Sequence, residues 1–212
     1  MNSILAETST VDEKLLRTSS RMDEFEGYTI AHGSRVAKTA DLLAAAFNLA
    51  SRDRFFLQQA ALIHDIGEMA MDRGYIRGIV GLTANERIDL QRHPVIGEQE
   101  AARLELPRGV QLIVRWHHEW WNGGGYPDAI EGEQIPVAAR ILRVADTYSA
   151  LTSARPFRPA MSAENAKRYM TEWAGIEFDP MVVKAFLSIA LTEEVKQQQQ
   201  FPGPFDSGSP VD

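Results

Sequence analysis

Leu62-Ile63-His64-Asp65-Ile66-Gly67 sets a histidine and an aspartate side by side in an otherwise apolar stretch. An ionised carboxylate buried among aliphatic side chains is costly unless a cation compensates it. A metal held jointly by the imidazole and the carboxylate is such a cation. Ala60 and Ala61, one turn before His64, leave the local surface small enough to make room for an ion. The stretch closes a helical pattern in which Phe55, Phe56, Ala60 and Ile63 recur at helical spacing, with Ser51 as N-cap and an end near Gly67.

Outward from this point the pattern stays helical. Thr10-Val11-Asp12-Glu13 fits a capping box that opens a first helix, and a second is predicted from about Tyr28 to Asn48, with Val36, Ala40, Leu43 and Phe47 on its inner face. Residues 69–82 read as a loop. Thr83-Ala84-Asn85-Glu86 is another capping box, opening a helix to about Leu104 that Pro94 is expected to kink or split. Pro107 suits the first turn of a helix holding Val110, Ile113 and Val114, and Asn122 to Asp128 is loop. Helices are predicted over Pro136–Thr152 and Ala163–Trp173, and Asp179-Pro180 caps a last one reaching about Leu191. No alternating runs demand a sheet, so the fold class is all-α. Residues 1–27 are expected to form an N-terminal helical extension, 28–191 the domain, and 192–212 a flexible tail, with its glutamines at 197–200 and its prolines, glycines and serines beyond.

Composition narrows the chemistry. The 212 residues suit one domain, with 44% hydrophobic and 24% charged residues. There is no cysteine, which excludes disulfides, iron–sulfur clusters and zinc–thiolate sites and leaves His, Asp and Glu to hold any metal. The net charge of −7 argues against binding a nucleic-acid polymer. It does not argue against a small anion, because a bound metal reverses the local field. No run approaches the roughly 18 apolar residues that span a bilayer. The N-terminus has no basic region followed by an apolar core, so a cytoplasmic protein is expected.

The five histidines are His32, His64, His93, His117 and His118. Each taken singly is as well read as a core or surface imidazole; His117 shares a face with Val110, Ile113 and Val114. Asp146 lies between Leu142 and Ala150 at i−4 and i+4, on a mostly apolar stripe. It reads either as a ligand or as the partner of Arg143 in a buried ion pair.

Taken in order, His32, His64-Asp65, His93-Pro94, His117-His118-Glu119, Gly125-Tyr126-Pro127 and Val144-Ala145-Asp146 resemble the HD-GYP family, a branch of the HD superfamily of metal-dependent phosphohydrolases. Glu133 to Leu142 and Leu151 to Pro159 are similar to the segments flanking the family's last aspartate, and the resemblance runs from about Tyr28 to Leu187. It implies a helical bundle with a central di-metal site made by His32, His64, Asp65, His93, His117, His118 and Asp146. By the family's pattern Asp65 bridges two ions, His32, His64 and Asp146 complete one, and His93, His117 and His118 the other. Nitrogen and oxygen ligands without sulfur fit iron or manganese, with zinc or nickel as alternatives. Members with a third metal carry a glutamate one turn before the first histidine; here that position is Tyr28, so two divalent ions are expected.

The implied activity is hydrolysis of cyclic di-GMP to pGpG or GMP by a bridging hydroxide between ions about 3.5–4 Å apart, with Asp65 and His64 at the catalytic centre. Arg155 and Arg158 match the family's phosphate-contacting pair, and Tyr126 its loop tyrosine, placed to touch substrate, order the loop or contact a protein partner. Trp116, Trp120 and Trp121 fit either packing or stacking on guanine. Three positions depart from the family: Glu68 stands where a lysine is usual, and Ser149 and Ala154 where aspartates are common. These altered positions keep two alternatives open: a phosphohydrolase for another nucleotide or phosphomonoester, and a non-catalytic cyclic di-GMP receptor or protein-interaction module.

Overall fold

The computed structural model describes residues 2–77, 81–155 and 158–200. Among the described residues ten α-helices run in chain order: α1 (Asn2–Glu26), α2 (His32–Ala46), α3 (Ser51–Ile63), α4 (Ile66–Met71), α5 (Ala84–Leu90), α6 (His93–Arg103), α7 (Arg108–Trp116), α8 (Val137–Leu151), α9 (Ala163–Glu172) and α10 (Pro180–Gln200). Among the described residues the only bridge-type pairings are isolated ones, Arg155 with Arg158 and Ala174 with Phe178, so the all-α expectation holds. No helix is long and apolar enough to cross a membrane, among the described residues.

Alanines set the spacing of the bundle. Ala40 and Ala44 on α2, Ala60 and Ala61 on α3, and Ala139 and Ala145 on α8 are fully buried, so these helices approach closely. Leu43, Leu57, Ile63, Val110, Ile141 and Leu142 fill the space between them. Helix α2 packs on α3 and α8, α3 on α7, and α6 on α4 and α7. Helix α1 lies against α3 and α2, with Leu15 and Met22 in the core. Its Asp23 accepts a hydrogen bond from the backbone N–H of Gly33, capping the start of α2 from another helix.

Strong local signals coincide with helix ends. Thr83 and Glu86 form a reciprocal capping box, and Pro94 sits in the first turn of α6 after a break that splits the expected helix in two. Asp179 accepts from Met181 N at the start of α10. Elsewhere the boundaries differ. Helix α1 starts at Asn2 and runs through Thr10–Glu13, because the preceding residues are helix-compatible and give it no reason to start there. Helix α2 begins at His32, since Gly27 takes a left-handed φ of 80° and ends α1 just before Tyr28. Ser51 is the first residue of α3, with Ala50 as its N-cap. Within 69–82, α4 continues to Met71 and a 3₁₀ turn covers Gly74–Arg77. Helix α10 continues past Leu191 through the glutamines, which are good helix formers. Residues 192–200, expected as the start of a flexible tail, are therefore helical, and the rest of that expected tail, 201–212, lies outside the described residues, as do 78–80 and 156–157.

Candidate metal centre

Helix ends deliver most of the histidines to one point. His32 opens α2 and His93 opens α6, while His64 and His117 follow the last residues of α3 and α7. Asp65 lies in the break between α3 and α4, and Asp146 projects from the middle of α8. The break depends on Gly67. A Cβ there would lie 2.0 Å from the carbonyl oxygen of His93 and 2.8 Å from Gly97 N, so only glycine lets α4 seat against the start of α6.

The structure brings all seven expected ligands together in two groups. One is Asp65, His93, His117 and His118; the other is His32, His64 and Asp146. His64 Nδ1 bonds to Ala61 O at 2.9 Å, His93 Nδ1 to Leu90 O at 2.7 Å, and His117 Nδ1 to Val114 O at 2.6 Å. A carbonyl oxygen only accepts, so each Nδ1 carries a proton and Nε2 is the ring atom turned inward, with a lone pair whenever the ring is neutral. Those Nε2 atoms meet carboxylates. His64 lies 3.2 Å from Asp65 Oδ2 and 3.5 Å from Asp146 Oδ1, His93 lies 3.2 Å and His117 3.4 Å from Asp65 Oδ1, and His32 lies 3.3 Å from Asp146 Oδ1. His32 Nε2, His64 Nε2 and Asp65 Oδ1 are buried and make no hydrogen bond. Lone pairs facing lone pairs repel, and a cation among them turns every contact into attraction.

His118 is held differently. Arg143 Nη1 donates to its Nδ1 at 2.7 Å, and Arg143 Nη2 pairs with Glu177 at 2.5 Å. Its ring stacks on Tyr126 at 4.9 Å. Burial drives the His118 imidazole well below the usual histidine range, and His117 and Arg143 push it further. With protons alone to balance the carboxylates, burial pulls His64 down, but Asp65 and Asp146 outweigh it and hold that ring well above its ordinary value. Burial likewise opposes ionisation of Asp65 and Asp146, yet the surrounding imidazoles hold both well below the carboxylate range.

The loop after His118 is braced from both sides. Glu119 Oε1 accepts from Asp128 N at 2.7 Å, and Arg115 grips Asp128 through two bonds of 2.7 Å. The tryptophans pack: Trp116 Nε1 donates to Asp128, Trp120 meets Trp173 edge-on at 5.9 Å, and Trp121 lies under Arg140. Tyr126 is half-buried and also meets His93 edge-on.

The two arginines part company. Arg155 donates to Tyr28 Oη and to Glu26 Oε2, the latter at 3.2 Å, and its guanidinium lies 4.0 Å over the Tyr28 ring. Arg158 is exposed and donates to Ala150 O at the end of α8. Of the substituted positions, Ser149 is buried in α8 and Ala154 is exposed, while Glu68 faces the cluster. Glu68 and Glu26 gather with Asp65, their carboxylate oxygens within 4.8 Å of one another. Burial first, then the Asp65 charge, lifts Glu68 to about 7. Nothing in the sequence marks Glu26, which lies six residues before His32 and on a different helix; Glu-Gly at a helix end is an ordinary terminus.

A central carboxylate shared by histidines from several helix ends, inside an all-helical bundle, defines a class. The family model described as "HD domain" matches residues 16–182, and the chain belongs to that family. It is 36% identical over 191 residues to a Xanthomonas campestris protein named cyclic di-GMP phosphodiesterase response regulator RpfG, covering 87% of this chain and 50% of the relative. It is 33% identical over 159 residues to a Vibrio cholerae 3'3'-cGAMP-specific phosphodiesterase, covering 75% of this chain and 35% of that one. The chain thus spans half or less of the length of these relatives. Among solved structures, a cyclic GMP-AMP specific phosphodiesterase of V. cholerae superposes with a TM-score of 0.70 over 95% of this chain and 56% of its own, at 18% identity. A Bdellovibrio bacteriovorus protein described as HDG"Y"P gives 0.62 over 76% of this chain and 51% of its own, also at 18% identity. These structural matches bear on the fold.

Proposed function

We propose that the chain is a metal-dependent phosphodiesterase that opens a cyclic dinucleotide, with cyclic di-GMP as the first substrate to test and pGpG or GMP as product. The observation that carries this is the inward ring of imidazole Nε2 atoms, their Nδ1 atoms tied to carbonyl oxygens, around two buried carboxylates. His32, His64 and Asp146 would hold one divalent ion and His93, His117 and His118 another, with Asp65 shared. Iron or manganese suits this donor set, and zinc or nickel is the alternative. Such ions activate water and neutralise charge developing on phosphoryl oxygens. The chain's own residues do the rest. Arg155 offers donors to a phosphate, and Arg158 joins it on leaving the Ala150 carbonyl. Tyr126 keeps His118 and His93 in place and closes one side of the site. In this reading residues 28–191 are the catalytic unit, and α1 is an extension whose last turn reaches it. A protein partner would read the outer face of the Gly-Tyr-Pro loop.

Relatives named for both cyclic di-GMP and 3'3'-cGAMP favour the cyclic dinucleotide class. Glu68 favours a second reading, a different nucleotide or phosphomonoester, because its carboxylate stands where a cation would welcome a phosphate. Turnover of cyclic di-GMP, 3'3'-cGAMP and a nitrophenyl phosphomonoester, with iron or manganese, separates the readings. Cyclic dinucleotide hydrolysis that disappears in His64→Ala is the expected result. Hydrolysis of the monoester alone selects the second reading, and binding of cyclic di-GMP without turnover selects a receptor.

A further inference from the structure

The end of α1 holds one side of Arg155, and the other side is unmatched. Tyr28 stacks on His32 at 4.1 Å with the rings 8° apart. The Arg155 guanidinium lies 4.0 Å from the same ring centroid. Two groups this close to one centroid take opposite faces, so Tyr28 is the spacer between an expected metal ligand and an expected phosphate ligand. Arg155 Nη2 is committed to the end of α1 and the turn that follows it, through Glu26 Oε2 and Tyr28 Oη. Its Nε is buried and has no hydrogen-bond partner. Arg155 also sits close enough to feel the charges of Asp65 and Glu68. A guanidinium recognises phosphate best through a fixed edge of N–H donors, and a long side chain left free gives up rotamer entropy on binding.

We infer that Tyr28 and Glu26 are positioning residues: they hold the guanidinium of Arg155 beside the metal centre with its Nε–H presented to a substrate phosphate. The inference rests on the reading of Arg155 as a substrate contact. It gives α1 a part in substrate binding, because residues before the first metal-ligand helix set where the arginine stands. Tyr28 stands one turn before the first expected metal-ligand histidine, and it acts through the arginine.

A double-mutant cycle on the metal-loaded chain tests this. Tyr28→Phe keeps the ring between His32 and the guanidinium and removes only the hydroxyl. Arg155→Met removes the group being positioned. Each single change is expected to raise KM for the cyclic dinucleotide about five- to tenfold, with kcat held within about twofold and metal content unchanged. In the Arg155→Met background, Tyr28→Phe is expected to change KM less than about 1.5-fold. Equal effects in both backgrounds would overturn the inference and leave the role of Arg155 intact. An unchanged KM in Arg155→Met would overturn both. Glu26→Gln runs the same cycle should Tyr28→Phe lose metal or fold. The Kd of a phosphorothioate cyclic dinucleotide gives the same comparison in a chain that binds without turnover.

Discussion

Ala61, Leu90 and Val114 each lend a carbonyl oxygen to the imidazole three residues later. That bond fixes the tautomer, and the tautomer decides that the inward atom is a ligand and not a donor. Asp65 is the residue on which both groups depend. Asp65→Asn removes one charge and turns one of the two inward oxygens into an amide nitrogen that cannot bind a metal. It should weaken binding of both ions by at least about 100-fold, read as metal per chain after dialysis. Retention of two ions by Asp65→Asn would remove the carboxylate from the centre of the account. The pH dependence of the metal-free chain is set by groups that shift in both directions. His32, His117 and His118 are lowered, so below the ordinary histidine range they make stability rise with pH. Glu68, lifted to about 7, and the raised His64 and His93 bind more protons folded than unfolded. Their contribution is lost as pH rises through those folded values. Above about pH 6.5 the lowered histidines are neutral in both states and only the falling contribution is left. The melting temperature of the metal-free chain should therefore fall between about pH 6.5 and 8, and manganese should flatten that slope. A rising melting temperature across the window would contradict the shifts.

At the scale of elements, the site is a set of helix ends pulled together by close contacts. Gly67→Ala puts a methyl against the His93 carbonyl, and backbone cannot rotate away. A loss of about 3 kcal/mol is expected, with weaker metal binding, because α4 and the His93 end of α6 must separate. Urea unfolding and metal content check it; an unchanged midpoint with full metal would mean the contact is slack. Thr83→Ala removes the capping box of α5, at the opposite end of that helix from Leu90, and should cost about 1 kcal/mol with activity intact. Full stability would show that α5 is held by packing alone. These elements also show what sequence could reveal. Thr83, Pro94 and Asp179 act on their own neighbours, so their signals were legible. The start of α1 and the Asp23 cap on α2 depend on a partner helix, so the box at Thr10 pointed to a boundary the chain passes straight through.

On the whole molecule, the all-α bundle was readable from its helical patterning, and the seven converging residues from their order along the chain, which resembles the HD-GYP family; the His64-Asp65 pair in its apolar run was the one signal distinctive by itself. Glu26, Tyr28 as a spacer and Arg143 on His118 were not, since their partners lie far along the chain and their residue types are ordinary at a surface. Zero cysteines and two buried aspartates leave imidazole and carboxylate as the chemistry of the centre. The central claim is that this centre holds two ions and uses them to open a cyclic dinucleotide. The most direct measurement strips the chain with chelator, returns iron or manganese stepwise under argon, and records bound ions beside cyclic di-GMP hydrolysis. Linear dinucleotide or GMP should appear as the second ion per chain is bound and stay absent in the stripped chain. Two ions bound with no cyclic dinucleotide opened, or hydrolysis by the stripped chain, would contradict the account.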